Sequence, residues 1–255
     1  MSRQHHRPGP HELGQNDLVD RRTITAVVAL ARECGGPYVE WAAGRGALTR
    51  PLARIGAPLH VVELDPRRVA ALERAALGPH VCIGAGDILR HAPPAGTRTL
   101  VANLPFHVTT PALRHLLRET HWQHALLITQ WEVARKRAGV GGATQLTAQW
   151  WPWVDTGLVQ RIPATAFRPV PSVDAGLLHL RRRPEPLLPA SEQRDYHEFV
   201  RRVFGGRGRH LAQILTGAGV SREAANRLAA QRRPGALPRD LDAATWVAAY
   251  RSRRT

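Results

Sequence analysis

The sequence predicts an α/β fold: a doubly wound, mostly parallel sheet followed by a small all-helical domain. Three observations predict it. From Tyr38 to Thr129, short apolar runs alternate with helical stretches, as a sheet with crossover helices requires. The first run passes into a glycine turn and the second ends in an acid, the arrangement by which such sheets approach nucleotide-like ligands. Beyond Arg183-Pro184-Glu185-Pro186 the strand pattern stops and only helices are expected. The chain's 255 residues suffice for one large domain and a small appendage.

A helix is expected from about Asp20 to Glu33, capped by Asp20 and ended by Gly35-Gly36-Pro37. Tyr38-Val39-Glu40-Trp41 reads as the first strand. It runs into Ala42-Ala43-Gly44-Arg45-Gly46, where glycines let a ligand lie against the backbone. Leu59 to Glu63 is the second strand, and an acid at its end is where ribose hydroxyls are held in such folds. Asp65-Pro66 supplies N-cap and first turn for the next helix. Val81-Cys82-Ile83 is a third strand, followed by Gly86-Asp87. Asp87 has two readings: acceptor for an adenine amino group, or cap of the turn before Ile88. The fourth strand, Thr99 to Asn103, precedes a helix from Thr110-Pro111 to about Arg118, and His124 to Thr129 is the fifth. Trp131 to Arg137, with Arg135, Lys136 and Arg137 adjacent, runs into Gly139-Val140-Gly141-Gly142. The expectation there is a basic, mobile loop suited to phosphate contact, the alternative a solvated helix end. Trp150, Trp151 and Trp153 fall in a β-like run and are read as core. Phe167-Arg168-Pro169-Val170-Pro171 is an extended loop before a final strand, Ala175 to Leu180. Four short helices are expected after the boundary: Tyr196 to Phe204, His210 to Leu215, Arg222 to Ala230 and Ala243 to Tyr250. A basic turn carrying Arg207 and Arg209 follows the first.

The chemistry concentrates at Asn103-Leu104-Pro105-Phe106. Pro105 has no N–H for a ladder, so the backbone must leave the sheet just after Asn103. An amide and an aromatic ring then stand together at the ligand-binding edge of the sheet. Such a pair suits methylation of an exocyclic nitrogen on a planar base. The amide oxygen and a backbone carbonyl accept the two N–H bonds of a weakly nucleophilic amine, while Phe106 stacks on the ring. The competing reading is an Asx or proline turn with Phe106 in the core.

Charge narrows the partner. The net charge is +16, and Lys136 is the single lysine among 36 cations. Arginine binds phosphate as a planar fork and stacks on bases, which points to a nucleic acid. The last 72 residues hold 13 arginines against 7 acids, a net +6. An acidic membrane is disfavoured, because no stretch approaches about 18 apolar residues. Cys34 and Cys82 form no CxxC, so a reducing cytoplasm is expected, with neither a disulfide framework nor a metal site. Met1 to Pro10 reads as a mobile arm rather than a signal peptide.

Taken together, Glu12-Leu13-Gly14-Gln15-Asn16, Glu40 to Gly46, Glu63-Leu64-Asp65, Gly86-Asp87, Asn103 to Phe106 and Phe167 to Asp174 occur in an order that resembles the Erm family. These are the adenine-N6 methyltransferases of 23S ribosomal RNA, which confer macrolide–lincosamide–streptogramin B resistance. Gln130 to Arg135 and Ala138 to Gly142 look closest to the actinobacterial, antibiotic-producer branch. The resemblance implies a Rossmann-like class I methyltransferase with a seven-stranded sheet, S-adenosylmethionine as donor, and one or two methyls added. It divides the chain into a basic arm over 1–12, a methyltransferase domain over 13–183 and a helical RNA-binding domain over 184–255. It implies that Gln15, Asn16 and Leu18 line the methionine end of the donor, with Ala42, Gly44 and Gly46 in the turn that passes it. Glu63 then binds the ribose, and Asp87 with Ile88 meets the adenine. Asn103, Leu104 and Pro105 orient the target amine, while Phe106 and Phe167 hold the flipped base. Arg135, Lys136, Arg137, Arg168, Arg207 and Arg209 are the expected RNA contacts, and no metal is needed. The implied partner is 23S rRNA in the peptidyl-transferase region before full ribosome assembly, met by a cytoplasmic monomer. Two residues depart from the family pattern: Ala42 stands where glycine is usual, and Asp17 where phenylalanine is. The rivals are the small-subunit rRNA adenine dimethyltransferase, a non-catalytic nucleic-acid-binding relative, and a dinucleotide oxidoreductase.

Overall fold

The computed structural model describes residues 16–253. The seven-stranded sheet has its first strands where continuous apolar runs predict them. They are β2 (Tyr38–Trp41), β3 (Leu59–Glu63), β4 (Val81–Ala85), β5 (Thr99–Asn103) and β6 (His124–Gln130). Strands β2, β5 and β6 are buried on both faces, which is why their sequences do not alternate. Two later strands, β7 (Val154–Ile162) and β9 (Ala175–Arg182), complete the order β4-β3-β2-β5-β6-β9-β7. Neighbours from β4 to β6 are parallel.

Helix α1 (Arg21–Cys34) begins where expected: the Asp20 carboxylate accepts the Thr23 N–H at 2.8 Å. Asp65 caps α3 (Pro66–Arg74) in the same way, accepting from Arg67 N at 2.9 Å, with Pro66 in the first turn. Helix α2 (Thr49–Ala53) follows the glycine turn, and α4 (Thr109–Arg118) follows the proline turn after β5.

Three features differ from the sequence reading. Trp131–Arg137 is a helix, α5, not a loop; the irregular stretch is only the glycine turn behind it, where Gly139, Gly141 and Gly142 all have positive φ. Gln145–Trp150 is also helical, α6, capped by the Thr144 hydroxyl, and Trp150 and Trp153 are buried core residues as expected. A second sheet, not foreseen, pairs β1 (Asp17–Leu18) antiparallel with β8 (Phe167–Arg168).

The chain forms two compact units. One holds the described residues up to Ala134 with Val159–His179; the other holds Arg135–Leu158 and the residues from Leu180 onward. The second unit thus reclaims α6 and does not start at 184. Its helices α7 (Gln193–Gly205), α8 (Leu211–Gly217), α9 (Arg222–Ala230) and α10 (Ala243–Arg251) match expectation. Helices α7 and α10 meet through a ring cluster of Phe199, Tyr196, Trp246 and Tyr250.

Candidate active site

The strand order turns between β2 and β5, since β3 and β4 lie on one side and β6 on the other. A crevice must open at the carboxyl ends of these two strands. A cavity of about 400 Å³ lies there, with Asn16, Ala42, Gly44, Glu63, Asp87 and Asn103 in its wall.

The glycine turn shapes one side. Gly44 has φ +60°, and a Cβ there would come within 3.2 Å of Arg68 Nη1 and 3.3 Å of Asp17 Oδ1. Gly46, at φ +83°, is outside the cavity wall; a Cβ there would lie 2.6 Å from Leu72, so this glycine serves packing against α3. Ala42 lines the cavity at φ +56°, a left-handed conformation that is strained for a residue with a Cβ.

Glu63 is 5% exposed and fixed at both oxygens. Oε2 accepts Gly44 N at 2.7 Å and Oε1 accepts Asp65 N at 3.0 Å. One carboxylate therefore ties the glycine turn to the start of α3, and its remaining lone pairs can accept hydroxyl donors. Glu40, on β2, is fully buried and its Oε2 has no hydrogen-bond partner. Burial, with the Glu63 charge adding to it, pushes the Glu40 carboxyl up to about 8. The sequence reading does not single out this acid; its signal is a lone carboxylate inside an otherwise apolar central strand.

Across the cavity, Asp87 Oδ1 accepts Leu89 N at 2.9 Å, which is the turn-capping alternative; the residue nevertheless lies in the wall beside Ile88. Asn103 Nδ2 donates to the Asn16 carbonyl at 3.0 Å, leaving Oδ1 as the acceptor of this amide. Leu104 is buried, Pro105 turns the chain out of the sheet, and half-buried Phe106 opens a 3₁₀ turn, lining the cavity while also packing against the apolar core, as the competing reading had it.

Besides Gly46, two further expected site residues sit elsewhere. Phe167 is fully buried, paired with Leu18 across the two-stranded sheet, and both side chains belong to the apolar core rather than the cavity wall. Neither offers a face to a ligand in this arrangement. Gln15 lies outside the described residues. Asp17, by contrast, borders the cavity in two ion pairs, with Arg45 at 2.9 Å and Arg68 at 3.7 Å.

The basic residues also divide. Lys136 is exposed at the end of α5. Its neighbours have local work: Arg135 donates to the Val140 carbonyl at 3.2 Å and Arg137 to the Thr144 hydroxyl at 2.5 Å. A Cβ at Gly141 would meet the movable end of the Arg135 guanidinium, and the φ of +73° is what calls for glycine there. Arg168 is exposed while bonding the Phe167 carbonyl at 3.0 Å. Arg207 and Arg209 are exposed between α7 and α8.

Comparison with known proteins bears on this geometry. The profile of the family described as "Ribosomal RNA adenine dimethylase" matches residues 9–233. The chain is 46% identical over 245 residues to the mycinamicin-resistance protein MyrB of Micromonospora griseorubida, covering 95% of this chain and 78% of that protein. It is 41% identical over 207 residues to an rRNA adenine N-6-methyltransferase of Corynebacterium diphtheriae, covering 81% and 82%. Among solved structures, the 23S rRNA methyltransferase ErmE superposes with a TM-score of 0.82 at 29% identity, covering 93% of this chain and 99% of that one.

Proposed function

Because the chain belongs to the ribosomal RNA adenine dimethylase family, we propose that it transfers methyl groups from S-adenosylmethionine to N6 of an adenine in 23S rRNA. One or two methyls are added, and the modification confers resistance to macrolide-type antibiotics. The observation that carries this reading is the Asn16–Asn103 hydrogen bond, which presents an amide oxygen as acceptor beside an acid-walled cavity.

The residues fit the donor. Gly44 leaves clear a backbone surface that a Cβ would fill, and Glu63 is held by two N–H bonds with lone pairs to spare for ribose hydroxyls. Asn16 and Ala42 stand on the methionine side, Asp87 and Ile88 on the adenine side. The donor supplies an electrophilic methyl on a sulfonium. The protein has then only to align acceptor and methyl, and the proton shed by the methylated amine leaves to solvent. Asn103 Oδ1 and the Leu104 carbonyl accept hydrogen bonds from the two amine N–H groups and localise the nitrogen lone pair. Phe106 stacks on the flipped adenine, returning about 1–3 kcal/mol of the unstacking cost. Phe167 acts behind it, by holding β8 against β1. The substrate is the peptidyl-transferase region of 23S rRNA before assembly closes it, met by a cytoplasmic monomer. Lys136, Arg168, Arg207 and Arg209 contact phosphates, while Arg135 and Arg137 shape the glycine turn.

Asn103→Ala is the test. Single-turnover methylation of a 23S fragment should fall by about a hundredfold or more, the usual scale for removing a group that acts in the transition state. Calorimetric donor affinity should stay nearly unchanged. Mass spectrometry of isolated 23S and 16S rRNA after reaction identifies the methylated adenine. Methylation confined to 16S, or normal turnover by Asn103→Ala, refutes the assignment.

A further inference from the structure

One group of side chains in the first unit takes no part in the donor cavity. Cys34 ends α1, His124 opens β6, and His179 lies on β9, the neighbour of β6 in the sheet. Helices in a doubly wound sheet run back against the strands, so the end of α1 meets the amino-terminal edge of the parallel strands. The group is therefore at the opposite edge from the donor cavity.

There Cys34 Sγ is 3.8 Å from His179 Nε2, and His179 Nε2 is 3.1 Å from His124 Nδ1; all three atoms lie within 4.8 Å of one another. A tetrahedral Zn²⁺ with Zn–N of about 2.0–2.1 Å and Zn–S of about 2.3 Å holds its ligand atoms roughly 3.3–3.6 Å apart. The Cys34–His179 and His124–His179 separations fall on either side of that range and close on it with shifts of a few tenths of an ångström, and the Cys34–His124 pair stands within 4.8 Å. The donor set is one sulfur and two imidazoles with no carboxylate, which suits Zn²⁺ and disfavours Mg²⁺ and Ca²⁺. Cys34 is buried and the two histidines are half-buried, so protein encloses the sulfur while one side stays open. The Cys34 carbonyl is also fixed, accepting Arg98 Nε at 2.6 Å. The two imidazoles are tilted by 34° at a centroid distance of 5.3 Å rather than stacked face to face, and their nearest nitrogens are 3.1 Å apart.

We infer that Cys34, His124 and His179 form a Zn²⁺ site that clips the end of α1 to strands β6 and β9, with water as fourth ligand. Binding forms the Zn–S bond with release of the thiol proton to solvent, both imidazoles coordinating as neutral ligands. Its role is stability, since an ion bound only by the folded chain shifts the folding equilibrium by mass action. Cysteine spacing could not reveal it, because the three ligands come from three distant segments.

Full-length protein stripped with a chelator and titrated with Co²⁺ tests the site. One equivalent should produce a thiolate-to-cobalt charge-transfer band in the near ultraviolet, and Zn²⁺ should abolish it. Cys34→Ser should lose the band and Cys82→Ser keep it. His124→Gln and His179→Gln should each weaken Co²⁺ binding by at least the roughly tenfold that losing a ligand's hydrogen-bond partner costs. Zn²⁺ should raise the Tm of the stripped wild type and not of Cys34→Ser. Histidine-only binding elsewhere gives no thiolate band, so a band that is absent from the folded wild type, or that survives Cys34→Ser, overturns the site. Should Cys34→Ser not fold, Co²⁺ affinity left unchanged in both histidine variants overturns it equally.

Discussion

Ala42 is the residue whose backbone conformation decides the sign of a substitution. A negative φ would have made Ala42→Gly slightly destabilising through the entropy of the unfolded chain. At φ +56° the sign changes. Left-handed strain of about 1–2 kcal/mol is relieved, against about 0.4–1 kcal/mol of added unfolded-state freedom. Ala42→Gly should thus raise stability by roughly 0.5–1 kcal/mol without donor, readable in urea unfolding. It should also tighten donor binding, because Ala42 lines the cavity. A lower unfolding midpoint would contradict this. Glu40 gives a pH signature. Its carboxyl titrates at about 8 in the folded protein against an ordinary value of 4.5. A raised pKa means stability that is complete below the unfolded value and lost as pH rises through the folded one. The Tm of wild type should therefore fall relative to Glu40→Gln between about pH 4.5 and 8. A constant difference across that window would show that Glu40 is ionised in the folded state.

Among the elements, those with local causes are legible in the sequence. Asp20 and Asp65 cap helices that start where their sequences say, and Pro105 ends β5 at Asn103. The differences share another origin. In α5, three cations and a following glycine run look like a loop, yet Arg135 and Arg137 turn back to hold that run. In α6, clustered tryptophans mimic strand composition, while burial in the second unit selects the helix. Strands β1 and β8 have two residues each, too few for periodicity to register. Phe167 is expected at the ligand because the family resemblance implies it, but pairing with β1 turns it into the core. Asp17 makes β1 testable as an element, since its ion pairs join the strand to the glycine turn and α3. Arg45 is 79% exposed at its side chain, so the pairing contributes under about 1 kcal/mol. Asp17→Asn should weaken donor binding by less than about tenfold and remove most of its salt dependence. A larger loss, insensitive to salt, would place the carboxylate in direct contact with donor.

For the whole molecule, charge sets the terms on which RNA is met. With +16 in all, affinity should fall linearly in log–log form with salt, as counterions are released from phosphates. Arg207→Ala and Arg209→Ala, both exposed, should each lower that slope by roughly 0.7–0.9, one phosphate contact apiece. Arg135→Ala should act differently, by loosening the turn at Val140. Filter-binding titrations over a salt series separate the two behaviours. An unchanged slope in Arg207→Ala/Arg209→Ala would move the contact face away from this turn.

The Asn16–Asn103 bond spans 87 positions, and Asn16 belongs to a segment pinned at Asp17 and Leu18 by Arg168 and Phe167. The acceptor geometry at the site thus depends on segments made early and late in translation. Contacts so distant in sequence form only after the intervening chain exists. A nascent chain halted before Arg168 leaves the exit tunnel should hold much of the central sheet and still fail to retain donor. If donor crosslinking to stalled chains rises only once that residue is free, the protein acquires its grip on donor after most of its own synthesis is done.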